Sequence, residues 1–270
     1  MKRLNKAVLA LATAGVLSSG APFMSSVSYA ADFGVTDYVR SESKNVDWLP
    51  AYHEVVCGSV KAGVASSSCA ASTAYAQTSS TISLGSVSGS AYAFAGPTPG
   101  WGGTASAVDS YWWDTITITS ASLATGTVVT VKGQIDMTAS VVPSWPYPVP
   151  ATRAQAQLNY IGPDCCNFVT VRSDQDYPTT GSFLAHVGSS YKIFGKYYIH
   201  TGTFAHNDFA DLGSVDASAR YFLWVDTPGA GYASASGMNY APVPEPSSLA
   251  MLLVGMATVA ATRLRRRITS

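Results

Sequence analysis

The sequence predicts an all-β body, an antiparallel β-sandwich or jelly roll, and three observations carry that prediction. Short segments alternate apolar and polar side chains with a period of two, as a strand with one buried face requires. Clusters of Gly, Pro, Asp and Ser separate these segments. Between Ala31 and Ala241 no segment repeats its apolar residues at the spacing of a long amphipathic helix.

The chain opens with a leader. Lys2, Arg3 and Lys6 form a positive start, Ala7 to Leu17 an apolar stretch, and Ser28-Tyr29-Ala30 places small residues where a signal peptidase inspects them. Residues 1–30 therefore read as a signal peptide cleaved after Ala30. The apolar stretch is short for a membrane span and is followed by polar Ser18, Ser19 and Gly20.

Strands follow in order through the body. Ala65 to Ser90 holds 13 Ser or Thr among 26 residues, alternating loosely with Ala, Val, Ile and Leu. It reads as a polar-faced strand pair whose hydroxyls can also accept O-glycans. "DTITITS" sets Ile116 and Ile118 against Thr115, Thr117 and Thr119, and "TVVTVKGQIDM" buries Val129, Val131, Ile135 and Met137 on one parity. "PSWPYPVP", with four prolines, lacks ladder donors and reads as an extended loop. "RAQAQLNY" places Arg153, Gln155, Gln157 and Asn159 on one face and Ala154, Ala156, Leu158 and Tyr160 on the other. "YKIFGKYYIH" and "RYFLWVD" are aromatic and β-branched strands, and "TPGAG" turns the chain into a last strand, "YASASG".

The end of the chain is different in kind. From Ser247 to Thr262 it carries no charge and is mostly Leu, Met, Val and Ala; sixteen helical residues rise about 24 Å, slightly short of a hydrocarbon core. Arg263, Arg265, Arg266 and Arg267 supply the missing length by snorkelling and hold the end in the cytoplasm. Pro244 and Pro246 keep Glu245 in an extended linker on the outer side. Val-Pro-Glu-Pro-Ser-Ser, a short apolar stretch and a terminal arginine cluster closely resemble the PEP-CTERM sorting signal of Gram-negative bacteria. The resemblance covers Val243 to Arg267 only. It implies recognition at or near Pro244-Glu245-Pro246 by an exosortase, a membrane-embedded cysteine transpeptidase-like enzyme, and delivery to the cell surface or the exopolysaccharide matrix. The expected order is a signal peptide at 1–30, an exported β-sandwich at 31–241, a Pro-Glu-Pro linker at 242–246, a single transmembrane helix at 247–262 and a basic cytoplasmic tail at 263–270.

Charge supports this layout. The 16 basic and 16 acidic residues balance, but seven of the basic ones sit in the two terminal segments while every acid lies between Asp32 and Glu245. The body is therefore acidic, which argues against nucleic acid as a partner. Export permits disulfides for Cys57, Cys69, Cys165 and Cys166. Of the three possible connectivities the sequence favours a local Cys57–Cys69 loop, worth roughly 2–3 kcal/mol on the chain-entropy model; a bridge between adjacent Cys165 and Cys166 strains the peptide between them. With no CxxC pair, a zinc site is disfavoured.

Catalytic signals are weak. There is no G-x-S-x-G elbow, no H-E-x-x-H and no glycine-rich phosphate loop. His53, His186, His200 and His206 stand apart from any nucleophile motif, and Cys57 beside His53-Glu54 is a poor nucleophile if it is disulfide-bonded. No cofactor is expected; the acids Asp174, Asp176, Asp208 and Asp211 read as solvated turn residues, with calcium as the alternative. Trp101 in "PGWGG", and Trp145 and Tyr147 among prolines, are candidate sugar platforms. Tyr111, Trp112 and Trp113 either join them or fill the sandwich. The sequence thus points to a non-enzymatic, structural or adhesive protein among exopolysaccharides. A carbohydrate-binding module is the alternative, and a glycan-processing enzyme comes third.

Overall fold

Alternation becomes architecture through thirteen strands among the described residues. The computed structural model describes residues 31–45, 51–96, 101–143, 152–161, 166–174, 179–206 and 210–242. The strands are β1 (Gly34–Asn45), β2 (Ala51–Ala62), β3 (Ser66–Ser72), β4 (Ala76–Ser83), β5 (Ser86–Ala95), β6 (Trp101–Ser120), β7 (Val128–Val142), β8 (Arg153–Ile161), β9 (Cys166–Arg172), β10 (Thr180–His186), β11 (Ser190–His206), β12 (Asp211–Val225) and β13 (Ala230–Ser234). All pairings are antiparallel. One sheet has seven strands in the order β2-β1-β6-β11-β8-β9, with β13 beside β6, and the other has six in the order β10-β7-β12-β5-β4-β3.

The pairing is nested. β5 joins β12, β6 joins β11, β7 joins β10 and β8 joins β9. Cross-links between β7 and β12 and between β8 and β11 complete each sheet. A long hairpin of strands wound in this way is the order of a jelly roll, here widened by β1 and β2 on one sheet and β3 and β4 on the other. The strands anticipated from alternation are present, except that the last is Ala230–Ser234, starting inside the expected turn and giving way to a turn at Ala235, and that Met137 is only partly buried. In β8, Ala154, Ala156 and Leu158 are buried while Arg153, Gln155 and Gln157 stand partly exposed.

The core lies where the inner faces meet. Trp112, Ile116, Tyr197 and Ile199 from one sheet share a cluster with Ile82, Val131, Ile135, Tyr221 and Leu223 from the other. The Tyr221 hydroxyl crosses the gap and donates to the Lys196 carbonyl at 2.8 Å. Tyr111, Trp112 and Trp113 fill the fold rather than line a loop. Adjacent residues of one strand face opposite ways, so Trp112 enters the inter-sheet core while Tyr111 and Trp113 join Phe194 in a second cluster on the outer face. Each tryptophan lies against a glycine directly across the ladder. Trp112 pairs with Gly195 and Trp113 with Gly34. A Cβ on Gly195 would sit 2.0 Å from the Trp112 Nε1, and one on Gly34 would sit 2.4 Å from the Trp113 Cζ2.

The serine-rich segment, expected as a polar-faced strand pair, runs through β3, β4 and the start of β5, with hydroxyls on both faces. Ser67, Thr78 and Ser80 are buried. Small side chains let the sheets approach closely there, and hydroxyls find partners across the gap: Ser41 meets Thr78 at 2.7 Å, and Ser80 donates to Asp37. Cys57 and Cys69 are bonded, with Cα atoms 5.9 Å apart. Because β2 and β3 belong to different sheets, this bridge staples the sandwich at its edge. Non-reducing peptide mapping should recover a Cys57–Cys69 pair, and replacing both residues by alanine should cost about 3 kcal/mol in urea unfolding; alkylation of both thiols without prior reduction would refute the staple. Cys165 lies outside the described residues, and Cys166 is described only through its backbone in β9.

Candidate functional site: the outer face of the seven-stranded sheet and the tail exit

Among the described residues, two surfaces with polar linings stand out. The larger is an open trough of about 590 Å³ on the outer face of the six-stranded sheet, lined by Ser79, Ser88, Ser90, Thr138, Ser218 and neighbours, with Asp216 as its charge. Its hydroxyls largely satisfy one another, as in Ser79 with Ser90 at 2.8 Å and Thr138 with Ser218 at 2.9 Å. Hydroxyls already paired, with no ring among the trough's lining residues, offer a sugar little.

The second surface is smaller and better equipped. A groove of about 160 Å³ on the outer face of the seven-stranded sheet is lined by Arg153, Gln155, Gln157, Lys196 and Tyr198. Register explains the grouping. β8 and β11 pair Arg153 with His200, Gln155 with Tyr198 and Gln157 with Lys196, so alternate residues of both strands share one face. Tyr198 and His200 stack with rings parallel to within 3° and centroids 6.1 Å apart. The Arg153 guanidinium carbon lies 6.0 Å from the centre of the Tyr198 ring. Lys196 Nζ stands 3.8 Å from Asp109 on β6. Burial pushes the Asp109 carboxyl above its usual range, and Lys196 pulls the other way. One row along, Tyr111 stands beside Lys196 in the ladder.

Alternation along β8 already set Arg153, Gln155 and Gln157 on one polar face; what it lacked was the partner strand. The sugar platforms expected from the sequence, Trp101, Trp145 and Tyr147, have no described side chains. Trp145 and Tyr147 lie outside the described residues, and Trp101 is described only as the first backbone position of β6. Of the acids, Asp174 is held by Arg172 through two hydrogen bonds, at 2.9 and 2.7 Å. Asp211 is buried at the start of β12 rather than solvated. Asp176 and Asp208 lie outside the described residues, and among those described no three His, Cys, Asp or Glu side chains gather as a metal site.

Sequence reasoning also missed a carboxyl inside the core. Asp37 on β1 is 1% exposed and accepts hydrogen bonds from Ser80 and, at 2.9 Å, from Ser110, while its second oxygen has no partner. Burial pushes this carboxyl above its ordinary value of 3.8, against the opposing pull of both serines and Lys61. The folded state therefore keeps this proton at pH values where the unfolded chain releases it. The contribution to stability is fullest below pH 3.8 and falls as pH rises through the folded value, then levels off. Urea titrations between about pH 3 and pH 8 should show this decline in the wild type and a flatter profile in Asp37→Asn; parallel profiles would contradict it.

The body ends at a fixed point. Tyr240 is 4% exposed, stacks on Trp112 with centroids 5.1 Å apart, and donates its hydroxyl to Asp114 at 2.7 Å. Burial, and then the Asp114 carboxylate, push the Tyr240 phenol far up, so it stays a donor. Asp114 also accepts from the Ser236 hydroxyl and from the Thr115 amide at 2.8 Å. The chain that leaves this anchor reaches residue 247 in seven residues, an extended span of at most about 25 Å. Residues 242–267 match the family model for the PEP-CTERM protein-sorting motif. The chain ends in a PEP-CTERM sorting signal. This tail implies processing by an exosortase and export to the cell envelope. The PEP-CTERM match stops at the tail and assigns the body to no family. Comparisons with curated proteins and with solved structures return no match. The expected signal peptide at 1–30, the apolar stretch at 247–262 and the motif residues Pro244, Glu245, Pro246, Arg263, Arg265, Arg266 and Arg267 lie outside the described residues.

The opposite end is docked as well. Trp113 Nε1 donates to the Ala31 carbonyl at 3.2 Å and Thr115 to the Asp32 carbonyl at 3.0 Å. The residues that follow the expected cleavage position thus cover the outer aromatic cluster.

Proposed function

We propose that this is a non-enzymatic, structural or adhesive protein of the cell surface or exopolysaccharide matrix of a Gram-negative bacterium. Its precursor is held by a transmembrane helix at 247–262 with the body outside, and an exosortase processes it at Pro244-Glu245-Pro246. The observation that carries this reading is the sorting motif at 242–267. The cysteine bridge, suited to an oxidising compartment, supports it.

The surface over β8 and β11 supports the alternative emphasis, carbohydrate recognition. A ring on a rigid strand gives the apolar face of a sugar a place to stack, and amides and cations on the neighbouring positions supply hydrogen bonds. No calcium or other cofactor is assigned to this surface. The test is retention of the protein by the producing organism's own polysaccharide, immobilised on beads. Retention that falls with Tyr198→Ala supports the reading; passage of the wild type without retention removes the glycan part of it.

A further inference from the structure

The cations of the groove are its unusual feature. The body is acidic, and three of its other described cations are paired with carboxylates: Arg40 with Glu42 and Glu54, Arg172 with Asp174, and Lys132 with Asp226. Arg153 has no carboxylate partner among the described residues. Among the described residues Lys196 has only Asp109, whose nearer oxygen stands 3.8 Å away, too far for a hydrogen bond, and that oxygen is buried with no hydrogen-bond partner. Two half-buried cations are thus gathered along the same groove, with Gln155 in the row between them and Gln157 directly opposite Lys196.

We propose that this groove binds an acidic saccharide through the carboxylate of a uronate residue. The inference rests on the reading of this face as a glycan-contact surface. Arg153 is the principal carboxylate donor, because a guanidinium matches the two oxygens with two parallel N–H groups. Tyr198 holds the guanidinium head over the groove, so less conformational freedom is lost when a ligand binds. Lys196 adds a second positive charge further along the same groove. Gln155 and Gln157 are placed to exchange hydrogen bonds with the ring hydroxyls beside that carboxylate. A neutral sugar leaves Arg153 without a counter-charge, so the site discriminates by charge as well as by shape.

The probe is polygalacturonate, compared with the same polymer after methyl esterification of its carboxyls. The full-length protein, purified in detergent, should bind the free acid at least tenfold more tightly than the ester, with an affinity that falls as salt rises. Arg153→Gln and, separately, Lys196→Gln should each remove most of that preference while melting like the wild type. Equal binding of acid and ester, with the organism's own polysaccharide still retained, overturns the charge selectivity and leaves the glycan-contact surface standing. A preference for the acid that survives both substitutions overturns the assignment to this groove. Failure to retain any of the three polymers overturns the surface reading together with the inference.

Discussion

Replacing Glu245 with alanine should leave the protein full-length and membrane-bound, with the processed form absent. Membrane insertion needs only apolar length and flanking positive charge, and both survive this substitution. Recognition by a processing enzyme needs more. Two prolines hold the linker extended and a single carboxylate marks it, so an alanine removes the charge while keeping the shape. The linker follows the anchored Tyr240 closely, so the enzyme works within about 25 Å of the folded body. Replacing Arg265, Arg266 and Arg267 together should act differently, by removing the cytoplasmic stop and letting the tail slip through the membrane. Fractionation and intact mass compare the two variants with the wild type. Release of Glu245→Ala at the wild-type mass would mean that the tail is a plain anchor.

The body's largest sensitivity should lie at Trp112. Its indole is 1% exposed, stacks on Tyr240 and meets the Tyr221 ring edge-on at 5.5 Å. Trp112→Ala should cost about 3–5 kcal/mol, a fall in Tm on the order of 10 °C. The same geometry makes Gly195→Ala costly for the opposite reason, because the added methyl meets the indole at 2.0 Å and overpacking of this kind costs about 1–3 kcal/mol. The two losses should not add. With the indole gone the methyl has room, so the double variant should be scarcely less stable than Trp112→Ala alone. Urea unfolding of the three variants measures the coupling, and simple additivity would show that the glycine is not there to admit the tryptophan.

Much of this was legible in the sequence because both signals were local. A period of two assigns each residue of Arg153–Tyr160 to a face without knowing any neighbour, and the structure keeps that assignment. The tail is legible for the same reason: Pro244-Glu245-Pro246, an apolar run and an arginine cluster fit within one short segment. Alternation does not say which strand lies alongside. The groove depends on Gln155 meeting Tyr198 and Gln157 meeting Lys196, pairings between strands far apart in the chain. Likewise, Trp112 and Gly195 look unrelated until β6 and β11 are in register. Asp37 escaped because a carboxylate in an alternating strand is ordinarily assigned to solvent. Here β1 turns it inward between two serines that arrive from β4 and β6. The local Cys57–Cys69 pairing could be favoured from spacing, but not its role in joining two sheets.

The central claim is that the sorting tail holds this body outside the cytoplasm until it is processed. The measurement that tests it most directly uses the Glu245→Ala precursor with an epitope after Ser270, in spheroplasts treated with protease. The account predicts that the body is digested while the epitope survives on a small membrane-bound fragment. A body that stays intact while the epitope is destroyed, or a precursor wholly protected until the cells are lysed, would contradict it.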